Sequence, residues 1–302
     1  MRRTAFYLPT FCFLIALILV PFPLLPAQTG DSRLDQARTE IDKKIAASGA
    51  EVALVFLPLD GKRGLEIRPD DSFHAASTMK LGVMLELFRQ VHEGTLHLED
   101  PLPVRNQFHS IVDGSVFQLN PADDSDDEPY TKVGSTMTLE QLCEHMITRS
   151  SNLATNLLME KLGIANIART VEASGAGGLK IVRVLEDQKA FDKGISNTVT
   201  ARALATLLER IAQAKAVDRA SSEQMVAILK RQTFNDAIPA GLPAGTPVAH
   251  KTGDITRIHH DAAIVYAPRP FVLVLLVRGI EQKDKSAALM AEIAHIVYQA
   301  AE

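Results

Sequence analysis

The sequence predicts an α/β fold of the α+β kind: an antiparallel five-stranded sheet flanked by the two terminal helices, with an all-helical lobe inserted into it. Three observations predict it. Runs of strand-forming residues occur near both ends of the chain, at 51–68 and 247–278. Between them, residues 77–231 carry apolar side chains mostly at helical spacing. The first two strand runs are separated by Asp60-Gly61-Lys62-Arg63-Gly64, a turn sequence that makes a hairpin and so antiparallel pairing. One sheet drawn from both chain ends around a helical insert is the economical solution.

At 302 residues, with 46% hydrophobic and 23% charged, the chain has enough apolar surface for a large core or two lobes. Its net charge of -4 argues against nucleic acid as a partner. Residues 1–27 read as an export signal: Arg2 and Arg3 form a basic start, Phe11 to Val20 an apolar core, and Ala27 a small residue at the cleavage point. The alternative is an uncleaved membrane anchor, because no charge falls between Arg3 and Asp31. Pro9, Pro21, Pro23 and Pro26 oppose a continuous spanning helix. After cleavage no stable membrane insertion is expected. Residues 28–302 then form one domain, its α/β lobe built from 31–76 and 232–302 and its helical lobe from 77–231.

The elements follow in order. Leu34, Ala37, Ile41 and Ile45 give a helix over 31–48 that ends before Gly49. Glu51 to Leu59 is a buried strand and Leu65 to Arg68 its hairpin partner. Helical periodicity covers 78–92, 138–148, 152–162, 164–173, 199–213 and 221–231. The interruption at 99–135 contains Asp123-Asp124-Ser125-Asp126-Asp127-Glu128, which lacks the central glycine and distal glutamate of a calcium loop and is expected to be solvated. After the turn-rich 239–245, strands are expected at 247–252, 260–267 and 271–278, then a helix over 283–300. Cys12 lies in the leader and Cys143 alone remains, so the domain closes no internal disulfide.

Ser77-Thr78-Met79-Lys80 opens the insert. On a helix, the i,i+3 spacing puts hydroxyl and ammonium on one face, a nucleophile beside its base. Alone the pattern equally suits a helix-capping serine and a solvated lysine. Two further motifs follow: Ser150-Ser151-Asn152 at a helix start and Lys251-Thr252-Gly253 at a strand end. Ser-x-x-Lys, Ser-x-Asn and Lys-Thr-Gly in this order are the signature of the penicillin-recognising serine enzymes. The chain resembles a class A β-lactamase over nearly its whole length after the leader, most closely along Met146 to Leu158.

That resemblance implies a β-lactamase/transpeptidase-like fold and a serine β-lactamase, exported to the periplasm or outside the cell. It would act as a monomer on a small-molecule β-lactam or peptidoglycan-like substrate, with neither cofactor nor metal. Ser77 would be the acylated nucleophile, its backbone N–H forming an oxyanion hole with that of Asp254. Lys80 would touch Ser77, with its pKa lowered by burial near Lys251. Ser150 would pass a proton to the leaving nitrogen, and Asn152 would bind the substrate's side-chain amide. Lys251 and Thr252 would hold a carboxylate, while Gly253 lets the strand edge come close.

The deacylating glutamate should lie in the loop 183–197, which departs from the family pattern and is short. Glu186 is the first candidate and Asp187 the second; Asn156, one helical turn after Asn152, would brace the loop. Otherwise Glu186 is a surface charge paired with Arg183 or Lys189. Ser151 replaces a common aspartate. Cys143 faces Met84 where some relatives have a disulfide, and is expected to be a buried, inert thiol. Arg257 either assists carboxylate binding or faces solvent in a turn, and His259-His260-Asp261 are expected to be polar residues at a strand entry rather than a metal site. Two other functions fit part of the pattern: a D-Ala-D-Ala peptidase-like or esterase-like hydrolase that penicillin acylates but that deacylates slowly, and a non-catalytic penicillin-binding sensor.

Overall fold

The computed structural model describes residues 1, 2, 5 and 30–302. The leader assigned to 1–27 lies almost wholly outside the described residues. In chain order come α1 (Gly30–Ser48), β1 (Glu51–Pro58), β2 (Leu65–Ile67), β3 (Phe73–His74), a 3-10 turn (Ala76–Met79) and α2 (Lys80–His92). Then follow β4 (Pro101–Pro103), β5 (Phe108–His109), β6 (Val116–Phe117), β7 (Thr136–Thr138), α3 (Leu139–Thr148), α4 (Asn152–Leu162) and α5 (Ile164–Ala173). The chain closes with α6 (Gln188–Asp192), β8 (Thr198–Val199), α7 (Ala201–Ala212), α8 (Arg219–Leu229), β9 (Val248–Ile255), β10 (Ile258–Val265), β11 (Phe271–Arg278) and α9 (Lys283–Ala301).

The main sheet runs β2-β1-β11-β10-β9, and its neighbouring strands are antiparallel. β1 lies along β11 from Glu51 opposite Arg278 to Pro58 opposite Phe271, so the two chain ends meet at the sheet centre. Alternation along these strands sends Val52, Leu54, Phe56, Leu273 and Leu275 to one face, where they pack on α1 and α9. Ala53, Val55, Val272, Val274 and Leu276 go to the other, against the helical lobe. Each fully buried large apolar side chain contributes about 1.5–3 kcal/mol. The sheet is therefore fixed from both sides, and the groove between β9 and the helical lobe is held by two cores.

Most boundaries fall within a few residues of the sequence reading, and the five-stranded sheet is as predicted. Differences lie where periodicity carries little information. Ser77 sits in the 3-10 turn and α2 begins only at Lys80. The five-residue α6 and the ribbons β3–β8, β4–β7 and β5–β6, whose strands are two or three residues long, are too short to show a period. His259, His260 and Asp261 are the second to fourth residues of β10, near its entry as expected, and all three are buried. His260 Nδ1 lies 3.1 Å from Val277 N and 2.8 Å from the His259 carbonyl, and Nε2 lies 2.9 Å from the His74 carbonyl. Burial pushes its pKa down to about 4, which keeps the ring neutral. Asp261 Oδ2 takes the Ile238 N–H, and its Oδ1 lies 2.9 Å from buried His250 Nδ1.

Cys143 is free and buried among apolar side chains, and desolvation raises its thiol pKa, as expected of an inert thiol. The acidic run is solvated at Asp123, Ser125, Asp127 and Glu128, as expected, but Asp124 and Asp126 turn inward. Asp126 is buried beside His145 (2.6 Å), and Arg149 pairs with Glu128 (2.7 Å). Asp126, Glu128 and His145 bring ligand-type atoms within 4.8 Å of one another, but Arg149 balances the carboxylates as part of an ion network. Among the described residues no helix is long and apolar enough to cross a membrane.

Candidate active site

Four segments converge on one point. The 3-10 turn brings Ser77, the start of α2 brings Lys80, the turn before α4 and its first residue bring Ser150 and Asn152, and β9 brings Lys251, Thr252 and Gly253. Ser150 holds a left-handed backbone (φ 62), which turns its side chain sharply between α3 and α4. Ser151, next to it, caps α4 by accepting from Ala154 N (3.2 Å), so the residue that replaces an aspartate has a structural role.

Both lysines are fully buried. Lys80 Nζ donates to the Ser150 carbonyl (2.6 Å), Ser150 Oγ (3.2 Å) and Asn152 Oδ1 (2.9 Å). Lys251 Nζ donates to the same Ser150 Oγ (3.0 Å) and to the Thr252 carbonyl (2.9 Å). One hydroxyl thus joins two ammonium groups. Burial pushes the Lys80 pKa down to about 7, against the pull of Asp124 and Glu186. Lys251 is lowered well below its ordinary range, first by burial and then by Lys80. The contact expected between Lys80 and the Ser77 hydroxyl is not made: Lys80 turns to Ser150 and Asn152 instead, which hold three acceptors within its reach.

Gly253 is where the strand must come close. A Cβ there would lie 3.1 Å from Ala76 Cβ and 3.2 Å from the backbone nitrogen of Ser77. Its absence lets β9 press against the turn carrying Ser77. Asp254, next along, turns its carboxylate to Lys283 (2.6 Å) on α9, with His259 Nε2 at 3.4 Å. Arg257 occupies the exposed β9–β10 turn in a left-handed conformation and donates to the Gly279 carbonyl (3.1 Å).

A cavity of about 560 Å³ opens in front of Ser77, lined also by His74, Asn152, Arg183, Leu185 and Glu186. Glu186 is exposed, as in the alternative reading, but it makes neither of the pairings that reading expected and faces the cavity instead. Its Oε1 accepts from Asn152 Nδ2 (3.2 Å), while Arg183 donates to the carbonyls of Ile195 and Val184 and Lys189 pairs with Asp113. Burial first, then Asp123 and Asp124, raise its pKa against the opposing effect of Arg183 and Lys80. Asp187 spends its carboxylate on Ser110 Oγ, Ile111 N and the cap of α6, so it is a structural residue.

Asn156 does brace the loop, but at Leu185. Its amide donates to the Leu185 carbonyl (3.0 Å) and accepts from the Leu185 nitrogen (2.8 Å). Glu186 follows in a left-handed conformation (φ 62). Asn197 ties the far end of the loop by accepting from Val182 N and Arg183 N and donating to the Arg183 carbonyl.

Sequence reasoning missed Asp124. Its carboxylate accepts from Asn152 N (2.9 Å), Leu153 N (3.0 Å) and Tyr130 Oη (2.9 Å), the first two being the opening N–H groups of α4. A run of acidic residues gives no sign of which one turns inward; only the fold 28 residues away decides it.

The chain matches the profile of the beta-lactamase enzyme family over residues 36–301. It is 28% identical over 263 residues to a beta-lactamase of Bacillus licheniformis, covering 83% of this chain and 79% of that protein. A beta-lactamase of Streptomyces albus G is 24% identical over 307 residues, covering 98% and 96%. Among solved structures, PBP-A superposes with a TM-score of 0.77 at 29% identity, covering 88% of this chain and 96% of that one. An ancestral class A beta-lactamase superposes at 0.76 with 26% identity, covering 88% and 100%.

Proposed function

Because the chain belongs to the beta-lactamase enzyme family, we propose that this serine hydrolase opens β-lactams by acylation of Ser77 and then hydrolyses the acyl-enzyme with Glu186. One observation carries the reading: the Ser150 hydroxyl lies between two buried lysines with lowered pKa values, beside the cavity that exposes Ser77. A Lys80 titrating near neutral pH is partly a free amine, and hydrogen-bond lengths in an empty site tighten once substrate is held.

In this mechanism Ser77 Oγ attacks the lactam carbonyl as its proton passes to neutral Lys80. The carbonyl oxygen gathers negative charge and receives the N–H groups of Ser77 and Asp254. The C–N bond then breaks, and the nitrogen takes a proton from Ser150, whose oxygen already accepts from Lys80 and Lys251 and so directs its own hydrogen elsewhere. Lys80 returns a proton to Ser150. Lys251 and Thr252 bind the substrate carboxylate, Asn152 its amide. For deacylation, Glu186 takes a proton from water as the water attacks the ester, and Ser77 recovers its hydrogen. The enzyme acts as an exported monomer, with residues 28–302 as its catalytic domain.

A second reading has support of its own. Asn156 clamps Leu185 rather than the glutamate, and PBP-A, which is similar to this chain, is known as an acyl-enzyme with penicillin G in its L158E variant. A chain with a misplaced water-activating group would be acylated and released slowly, as a D-Ala-D-Ala peptidase-like enzyme is by penicillin. Mixing the purified protein with a chromogenic cephalosporin separates the two. Many equivalents turned over support the β-lactamase, a single burst with an adduct on Ser77 supports the peptidase-like reading, and neither turnover nor an adduct by mass spectrometry overturns both.

A further inference from the structure

The reading of Ser77 as nucleophile leaves Asp124 without a function, although it lies against the site. Its carboxylate takes the first two backbone N–H groups of α4, from Asn152 and Leu153, and the Tyr130 hydroxyl as well. With Ser151 Oγ on Ala154 N, three successive donors at the head of the helix are satisfied. Asn152, whose backbone Asp124 holds, is the residue whose side chain meets Lys80 on one side (2.9 Å) and Glu186 on the other (3.2 Å). The neighbours of Asp124 grip the same turn: Ser125 Oγ donates to the Arg149 carbonyl (2.8 Å), and Asp126 holds His145.

We propose that Asp124 is a positioning residue for acyl transfer. By gripping the head of α4 it holds Asn152 between Lys80 and Glu186 and sets one fixed negative charge beside both. This rests on the acyl-transfer reading above.

The charges facing these groups can be named. Lys80 is faced by Asp124 and Glu186, and by the cation of Lys251 from β9. Glu186 is faced by Asp123 and Asp124, and by Arg183 and Lys80. Asp124 raises the pKa of both Lys80 and Glu186. Acylation needs Lys80 neutral and deacylation needs Glu186 ionised. Removing the Asp124 charge lowers both pKa values, so the acid limbs of both steps move to lower pH. A residue that only supported the fold would reduce the rates without moving either limb.

The test compares Asp124→Asn and Asp124→Glu with the parent, using cephalosporin acylation and deacylation rates from pH 5 to 9 and an NMR titration of the Lys80 side chain. Asp124→Asn should slow acylation roughly ten- to a hundredfold at neutral pH through misplacement of Asn152, with the Lys80 midpoint and both acid limbs at lower pH. Asp124→Glu keeps the charge but not the reach, and should lose rate with its limbs unmoved. Limbs and Lys80 midpoint unmoved in Asp124→Asn would overturn the proposal, as would parent-like rates in both variants. If the parent itself is not acylated, the functional reading fails while the Lys80 titration still decides the role of the Asp124 charge.

Discussion

The acylating half of the site and the deacylating half are built differently. Lys80 stands at the start of α2, Ser150 in the turn between α3 and α4, and Lys251 on β9 of the main sheet, and the lysines are fully enclosed. Glu186 stands on the loop 183–197, in a left-handed conformation, held on its side chain by Asn152 and through its neighbour by Asn156. A non-glycine residue in that region costs roughly 1–3 kcal/mol and persists only while its surroundings impose it. Ser150 shares that conformation (φ 62) but is buried between two enclosed lysines, so in the proposed mechanism the acylating groups rest on packing and the deacylating one on a few hydrogen bonds.

Breaking each half should therefore give different signatures. The largest effect is expected from Ser77→Ala, which should remove covalent labelling by a penicillin altogether and lower turnover by about a thousandfold or more; labelling that persists would place the nucleophile elsewhere. Glu186→Gln should slow release of the acyl-enzyme by about 10²–10⁴-fold and leave the labelling rate within about threefold, seen as a stable adduct in time-resolved mass spectra. An unchanged release rate would move the base away from Glu186. Asn156→Ala frees both backbone groups of Leu185 and should cost about 1–3 kcal/mol in denaturant unfolding, while slowing release roughly tenfold more than it slows acylation; equal slowing of both steps would show that the clamp serves the whole site.

The pH response sharpens the same contrast. With Lys80 pushed down to about 7 in the folded state from an ordinary 10.5, acylation should rise with pH through about 7. The unfolded chain binds the Lys80 proton more tightly, so this group adds stability as pH rises from about 7 towards 10.5 and withdraws it as pH falls. Pre-steady-state acylation rates that stay flat between pH 5 and 9 would exclude Lys80 as the base.

This division also explains what was legible. The sheet could be read because β1 holds the apolar run Val52 to Leu57 and β11 the run Phe271 to Val277, and the site's surroundings could be read because Ser77, Ser150 and Lys251 stand in short motifs. Glu186 could be named but not placed, since the loop's register depends on which residue Asn156 grips, a contact spanning 29 positions. Asp124 was hidden in an acidic run, and the His250–Asp261 pair in strands whose sequence shows only polar residues among apolar ones. Glu186 and Asp124 find their partners in a distant part of the chain, and His250 meets Asp261 across the β9–β10 hairpin, so in none of these cases does local pattern record the contact.

The meeting of β1 and β11 has a consequence in time as well as in space. β11, the central strand that supports β9 through β10, follows both of them in the chain, and Lys251 reaches Ser150 across 101 residues. Contacts of such separation form late, after much loop-closure entropy has been spent. Until β9 is seated beside β10, Lys251 has no route to Ser150, so an incompletely folded chain holds Ser77 without the two-lysine cluster beside it.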